Sequence, residues 1–504
     1  MRTVFAPPPN KGLVQLNRAL FNATQRMLAL RIPASASGAA METLRDQQVP
    51  AILSAPRLRT IVEDPSESST PRRFRLLLLD PSLSASKLED LPGELQRFAS
   101  THNADLVEHT ISLGYDYWST DQILRSILPD DFEVPSAFET IGHIAHLNLR
   151  DQYQPFKQII GQVILDKSKH IKTVVNKTDN IDHTFRFFQM ELLAGEDNMM
   201  AELKEGGCQF RFDFSKVYWN SRLQGEHDRI VKLFSKGDLV CDVFAGVGPF
   251  ALPAAKTAGC IVFANDLNPQ SYKFLVENIK LNKLEGRIRP FNMDGRQFIR
   301  QSHHDLNDPA IWETITEIKP AVASRKKSRD AGADAGKDSD KDAGRARPET
   351  PKPAAPLQTV IGGVRYFRHY VMNLPATAIE FLDAFHGLYS GKRELIKDDQ
   401  LPLIHCHCFS RGEDLEADVV QRVERVIGMS LGDNLVAVHN VRTVAPNKTM
   451  MCISFRLPPA LAFAEPGVLG KRKSVDDDEA AKRDRRDDGP SDDNHGQGDG
   501  ISTQ

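Results

Sequence analysis

The sequence predicts an α/β protein whose largest domain has a Rossmann-type, doubly wound parallel sheet. Two observations lead to this prediction. From about residue 226 onward, short apolar runs alternate with segments of helical period, which is the pattern of successive βαβ units. The first run, 239–244, ends in Gly246-Val247-Gly248, where the backbone can turn sharply and approach a ligand closely.

The elements of this domain follow from the same pattern. Five parallel strands are expected, at 239–243, 261–266, 288–292, 370–373 and 403–409. Helices are expected beside them at 250–257, 270–281, 377–385 and 414–427, and two closing strands at 436–444 and 450–457. Ligands of such sheets bind beyond the carboxyl ends of the strands.

Two smaller domains precede the large one. We expect a small N-terminal domain over 41–118 and a middle α/β domain over 119–225. Their predicted elements are strands at 74–79, 171–175, 185–193 and 208–213, an alternating segment at 141–147, and helices at 88–99, 121–128 and 156–166. The large domain then covers 226–460. Segments 320–356 and 461–504 have too few large apolar residues to fold, so we predict a disordered insertion and a disordered tail.

The overall composition restricts the class of protein. A chain of 504 residues has room for about two to four domains. Its net charge of −3 indicates that any nucleic-acid surface is a local basic patch. The six cysteines have no disulfide-like spacing, which suits a reducing compartment. No apolar run is long enough to span a bilayer, so no membrane partner is expected.

Both ends of the chain are rich in basic residues. Residues 1–40 contain five arginines and lysines and no acid, the composition of a mitochondrial transit peptide, although a disordered basic arm is the alternative. Basic clusters at 471–473 and 482–486 indicate nuclear import. We therefore expect the protein in the mitochondrial matrix, the nucleus and the cytoplasm.

The residues around the glycine turn indicate which nucleotide is bound. Asp266 ends the second strand, where nucleotide-binding folds place a carboxylate on ribose hydroxyls. The glycine pattern also fits dinucleotides, but Pro249 removes an N–H donor that a pyrophosphate would use. Asp242 adds a carboxylate where S-adenosylmethionine carries its ammonium group. The residues favour S-adenosylmethionine, with a nicotinamide dinucleotide or a turn without a ligand as the alternatives.

Two further motifs lie at strand ends or within strands. Asn373, in Met-Asn-Leu-Pro at 372–375, offers an acceptor and two donors that could hold the edge of a planar base, and Pro375 stiffens the next turn. The alternative is that Asn373 caps a helix. His-Cys-His-Cys at 405–408 suggests a metal site, but a strand directs its histidines and cysteines to opposite faces. We therefore predict no metal.

The motifs together resemble those of the eukaryotic and archaeal tRNA (guanine-37-N1)-methyltransferase family. The resemblance rests on AGVGPF at 245–250, NDLNP at 265–269, MDGRQF at 293–298, MNLP at 372–375 and the segments 185–196 and 212–230. It implies methyl transfer from S-adenosylmethionine to N1 of guanosine 37 in tRNA, with tRNA as the partner. A related transferase of the wybutosine pathway, which moves the aminocarboxypropyl group of the same cofactor, is the alternative. A nicotinamide-dependent oxidoreductase and a non-catalytic RNA-binding protein are others.

The resemblance also implies catalytic roles. It makes Glu226 the general base for N1 and Arg186 the partner of O6, with Asn373 and Pro375 positioning the substrate and Tyr218 near the site. Considered alone, Glu226 could cap a helix, Arg186 could be a solvated strand residue, and Tyr218 could be a core aromatic. Asp213 and Asp228 are other candidate bases.

We expect the protein to be a monomer. The cofactor residues that the resemblance implies lie around the glycine turn. They are His227, Asp242, Ala245, Gly246, Gly248, Asp266, Leu267, Asp294, Gly295 and Asn373. Among them, Asp266 and Leu267 are assigned to the ribose and adenine.

Overall fold

The structure is a computed structural model that describes residues 5–46, 51–66, 73–135, 138–178, 189–310, 360–361 and 364–465. The chain divides into two compact units. The first consists of Met1–Phe298 and Asp308–Thr359, and the second of Ile299–Asn307 and Val360–Gln504. The predicted insertion at 320–356 and nearly all of the predicted tail lie outside the described residues.

The first domain is built on an antiparallel sheet with the strand order β2-β3-β1-β4. Its strands are β1 (Ala23–Pro33), β2 (Ile61–Glu63), β3 (Phe74–Leu78) and β4 (Asp105–Leu113), and its helices are α1 (Ser37–Asp46) and α2 (Gly93–His102). Strand β1 lies between β3 and β4 and contributes to both faces. Leu30 and Ile32 pack in the cluster that includes α2, and Met27 and Ala29 pack in a second cluster.

This sheet corrects the predicted domain boundary. The folded first domain does not start at residue 41, because β1 lies inside the segment 1–40 that the composition assigns to a transit peptide. Phe21 is fully buried, and its carbonyl accepts a hydrogen bond from Trp118 Nε1 at 2.7 Å. Because β1 buries residues on both faces, its apolar run lacks the alternation that identifies a strand.

The middle domain contains a second four-stranded sheet, ordered β5-β6-β7-β8. The strands are β5 (Glu139–Ile141), β6 (Ile144–Leu147), β7 (Thr173–Lys177) and β8 (Met190–Gly195), with helices α3 (Thr120–Ile127) and α4 (Lys157–Lys167). One buried apolar cluster includes Phe21 and Ile111 of the first domain together with Ile160 and Val174 of the second. The two domains therefore share a core.

The rest of the first unit alternates strands and helices as the sequence predicts. A hairpin of β9 (Met200–Glu205) and β10 (Cys208–Asp213) is followed by α5 (Gln224–Val231), β11 (Leu239–Asp242), α6 (Ala251–Pro253), β12 (Ile261–Asn265), α7 (Pro269–Leu281) and β13 (Ile288–Phe291). Helix α8 (Gly295–Asp305) begins in the first unit, and its residues from Ile299 onward belong to the second. A π-helical turn, Ala254–Ala258, continues α6. Strand β12 pairs in parallel with both β11 and β13.

The second unit contains the remaining predicted elements and three short elements that were not predicted. They are β14 (Val360–Ile361), β15 (Val364–Arg365), β16 (His369–Met372), β17 (Leu403–Ser410), α9 (Leu415–Ile427), β18 (Leu435–Ala445), β19 (Lys448–Arg456) and α10 (Pro459–Ala462). The three that were not predicted are β14, β15 and α10. Strands β16 and β17 are parallel, and β19 pairs antiparallel with both β17 and β18. The helix predicted at 377–385 is a 3-10 helix, Ala378–Phe385.

Candidate active site

The turn after β11 has the backbone shape that a ligand-binding loop needs. Gly246 and Gly248 have φ angles of 55° and 100°, which side-chain-bearing residues rarely adopt. A Cβ on Gly248 would collide with Leu252 of the following helix. The N–H of Ala245 donates to the carbonyl of Asn265 at 2.7 Å. The turn is thus fixed between the ends of β11 and β12.

Asp266 anchors this turn at the end of β12. Its Oδ2 accepts a hydrogen bond from the N–H of Gly246 at 2.8 Å, and its Oδ1 accepts one from the N–H of Asn268 at 2.9 Å. Burial raises the pKa of Asp266 to about 6, although these two bonds and one from Ser271 favour the ionised form. Leu267, beside it, is 48% exposed.

Asn265 holds three strand ends together, a role that sequence reasoning missed. Its Nδ2 donates to the carbonyls of Val243 (3.2 Å) and Met293 (2.9 Å), and its Oδ1 accepts from the N–H of Met293 at 3.0 Å. The signal was present in the Asn265–Pro269 motif, but the motif does not show which groups its first residue contacts. Asp242 and Ala245, which lie close in sequence to Val243 and just before the glycine turn, are also buried.

Asp294 and Gly295 follow β13 at the start of α8. Asp294 Oδ1 accepts hydrogen bonds from the N–H groups of Arg296 (2.9 Å) and Gln297 (3.1 Å). Asp294 therefore caps α8, as short acidic side chains commonly do. The cofactor-binding role that the family resemblance implies for Asp294 stays a prediction.

Glu226 and His227 lie on α5 and are both held by ionisable partners. The guanidinium of Arg229 binds both carboxylate oxygens of Glu226, at 2.6 and 2.7 Å. His227 Nδ1 lies 2.6 Å from Glu205 Oε1, and its ring packs edge-on against Phe250, 4.7 Å between centroids. Glu226, His227 and Glu205 are each less than 10% exposed. Helix α5 thus places the buried carboxylate of Glu226 next to His227, whose ring contacts Phe250 just after the glycine turn.

Two alternatives for residues of the first unit are wrong. Glu226 lies within α5 rather than at its N-cap. Tyr218 is 47% exposed, so it is not a core aromatic.

Asp213, another candidate base, is also paired with a cation. Although burial opposes the shift, hydrogen bonds from Lys216 and Ser215 hold the pKa of Asp213 below its usual value. The ammonium of Lys216 lies 2.8 Å from its carboxylate.

Asn373 and Pro375 belong to the second unit and follow β16. The helix cap there is Thr377, so Asn373 does not cap it. Among the described residues, Asn373 Oδ1 is buried and has no hydrogen-bond partner. The carbonyl of Pro375 accepts a bond from the N–H of Phe409 at 2.9 Å. A buried, unsatisfied acceptor is the kind of group that a bound ligand would satisfy.

The remaining predicted residues divide between the described and undescribed parts of the chain. Arg186 lies outside the described residues, so its role stays a prediction. His405 of β17 contacts His369 (3.1 Å between ring nitrogens) and Ser454 Oγ (2.8 Å). Within the described ranges, no helix is both long and apolar enough to cross a membrane.

The site fits S-adenosylmethionine and defines a class of enzyme. In the first unit, the positive-φ glycines and the Asp266 carboxylate at the end of the next strand suit an adenosyl ligand. A family model described as the TRM5/TYW2 methyltransferase domain matches residues 201–318, and the TYW2 N-terminal domain matches 120–198. The protein is an S-adenosylmethionine-dependent methyltransferase of the Rossmann class.

Similar proteins identify the family more narrowly. A tRNA (guanine(37)-N(1))-methyltransferase of Batrachochytrium dendrobatidis is 67% identical, over 95% of this chain and 96% of the relative. One of Schizosaccharomyces pombe is 43% identical, over 90% and 96%. The chain belongs to the tRNA (guanine(37)-N(1))-methyltransferase family.

Solved structures agree on the fold. Trm5b from Pyrococcus abyssi, at 21% identity, aligns with a TM-score of 0.51 over 85% of this chain and 99% of its own. A complex of aTrm5 with tRNALeu aligns at 19% identity with a TM-score of 0.53, again over 85% and 99%. The predicted fold class is confirmed.

Proposed function

We propose that this protein transfers the methyl group of S-adenosylmethionine to N1 of guanosine 37 in tRNA, with Glu226 as the general base. The observation behind the residue assignment is the buried carboxylate of Glu226, held through both oxygens by Arg229. It precedes His227, whose ring contacts Phe250 after the glycine turn. The near full-length similarity to tRNA (guanine(37)-N(1))-methyltransferases supports the choice of substrate.

The reaction requires a base because N1 of neutral guanine carries a hydrogen. The cofactor supplies an electrophilic methyl group; the N1–carbon bond forms as the sulfur–carbon bond breaks. The N1 proton passes to the Glu226 carboxylate, which can accept it once the base lies within hydrogen-bond reach. The bidentate contact from Arg229 fixes the orientation of the carboxylate group, which restricts the directions from which Glu226 accepts a proton. The Arg186 guanidinium would stabilise negative charge on O6.

The wybutosine-pathway transferase is the second candidate, since the matching family models include TYW2 in their descriptions. The similarity to methyltransferases over nearly the whole chain favours methyl transfer. Cofactor labelled in its methyl group, compared with cofactor labelled in its carboxypropyl chain, separates the two reactions. We expect only methyl label to enter tRNA, and label from the carboxypropyl chain would reverse the assignment.

Glu226→Gln tests the base. We expect its single-turnover methylation rate to fall by about 10²–10⁴-fold, the usual contribution of a general base, while its affinity for S-adenosylhomocysteine stays close to that of the native protein. Asp213→Asn is the matched control, because it neutralises another of the candidate carboxylates. A native rate for Glu226→Gln together with a large loss for Asp213→Asn would assign the base to Asp213.

We also propose that the protein acts as a monomer in the mitochondrial matrix, the nucleus and the cytoplasm. The acid-free first 40 residues and the basic clusters at 471–473 and 482–486 support these compartments. Because β1 is part of the first sheet, residues 1–40 could direct import only before folding and would have to remain afterwards. The N-terminal sequence of protein recovered from mitochondria tests this, and light scattering tests the oligomeric state.

A further inference from the structure

Asparagine side chains of α7 and its C-terminal end bind the main chain of β10 along the edge that β9 leaves free. Asn282 Nδ2 donates to the carbonyl of Gln209 at 2.7 Å, and its Oδ1 accepts from the N–H of Gln209 at 2.9 Å. Asn278 Oδ1 accepts from the N–H of Arg211 at 2.8 Å. Four helical residues advance about 6 Å and two strand residues about 6.6 Å. Because these spacings match, the two amides satisfy the strand edge much as another strand would.

Asn278 also reaches the cofactor turn. Its Nδ2 donates to the carbonyl of Val247, between the two positive-φ glycines, at 3.2 Å. The side chain has no exposed surface. One buried amide therefore joins the predicted cofactor-binding turn to the backbone of β10.

Strand β10 continues into the segment 214–220, which carries the exposed Tyr218. Asn268, the N-cap of α7, donates from Nδ2 to the carbonyl of Lys216 in this segment at 3.0 Å. The backbone N–H of Asn268 donates to Asp266. Asn278 therefore links the cofactor turn to Arg211 within β10. Asn268, at the other end of α7, links Asp266 to Lys216 just after β10.

We propose that Asn278 is a positioning residue that couples occupancy of the cofactor site to the placement of Tyr218 for the target base. The proposal deepens the function above and rests on it. A ligand that fixes the Val247 carbonyl also fixes Asn278, and through it Arg211 and the strand leading to Tyr218. Because such coupling is reciprocal, bound tRNA must tighten cofactor binding by the same factor as the cofactor tightens tRNA binding.

The test measures that factor by calorimetry. The dissociation constant of S-adenosylhomocysteine is determined with and without saturating unmodified tRNA that has guanosine at position 37. For the native protein we expect a ratio within the usual range of about 5–150. Asn278→Asp keeps an acceptor for Arg211 but sets a carboxylate oxygen against the Val247 carbonyl, so we expect its ratio to fall close to 1.

Asn282→Asp is the matched control. It makes the same chemical change one helical turn later, on the same strand edge, and leaves the bond to Val247 in place. We expect it to keep the native ratio even if its melting temperature falls. Equal ratios in the two variants, or a native ratio of 1, would overturn the proposal, because a purely structural role would shift melting temperatures without separating the variants.

A second pair covers the case in which a buried carboxylate prevents folding. Asn278→Ser and Asn282→Ser shorten the side chains without adding charge, and the same contrast in ratio is expected. Mass spectrometry of tRNA treated with the native protein checks the proposed function separately. If 1-methylguanosine forms but the ratios do not differ, only the coupling role of Asn278 fails; if none forms, the proposed function fails.

Discussion

Removing residues 1–40 is expected to unfold the first domain rather than to leave a functional mature enzyme. The deletion removes β1, which lies between β3 and β4, and with it four large side chains that are at most 5% exposed: Phe21, Met27, Leu30 and Ile32. Full burial of such side chains stabilises a fold by about 1.5–3 kcal/mol each, or about 6–12 kcal/mol together. This is comparable to the whole stability of a typical domain, about 5–15 kcal/mol.

Limited proteolysis and hydrogen exchange measure this loss directly. In the truncated protein we expect rapid cleavage and exchange across 73–178, because the first and middle domains share a core. Point variants of β1 give a graded comparison: Leu30→Ala should cost about 2–5 kcal/mol, whereas Arg26→Ala, at an exposed position, should stay within about 0.5 kcal/mol. Native protection of 73–178 in the truncated protein would refute the reasoning.

Two further predictions concern charge. The pKa of Asp266 in the folded protein is about 6, above the ordinary 3.8, so its contribution to the stability of the ligand-free protein is full below about pH 4 and is lost as pH rises through 6. Asp266→Asn should therefore flatten this part of the profile of melting temperature against pH. An unchanged slope would contradict the raised pKa. Arg186→Ala should slow single-turnover methylation by about 10²–10³-fold, and weaker tRNA binding at an unchanged rate would instead make Arg186 a binding residue.

Sequence reasoning located the elements that carry their own local signals. Strands β11 and β12 are buried runs with Gly or Asn nearby, β13 begins with the buried Ile288, and the structure places each of the three within a residue of its predicted limits. Strands β1, β2, β4, β9, β14 and β15 were not predicted. In β1 the burial of both faces removes the period of two that identifies a strand.

The candidate site likewise contains residues that the sequence predicted and partners that it did not. Gly246, Gly248 and Asp266 were predicted because a nucleotide turn restricts residue type at fixed spacing. The partners that hold the site were not, because they come from distant parts of the chain: Glu205 is 22 residues from His227, and Asn278 is 67 residues from Arg211. Such pairs are set by tertiary packing, which no local pattern in one sequence reveals.

The apolar cluster common to the first and middle domains affects how the protein would bind an extended ligand. Asp166 of α4 adds polar contacts to the same junction, accepting from Arg18 (2.7 Å) and from the Tyr115 hydroxyl (3.1 Å). Domains joined by a flexible linker lose orientational freedom when both touch one ligand, and that loss weakens binding. Here the freedom is already lost on folding, so a ligand that spans both domains meets a surface of preset length, and its affinity depends on contacts rather than on linker length.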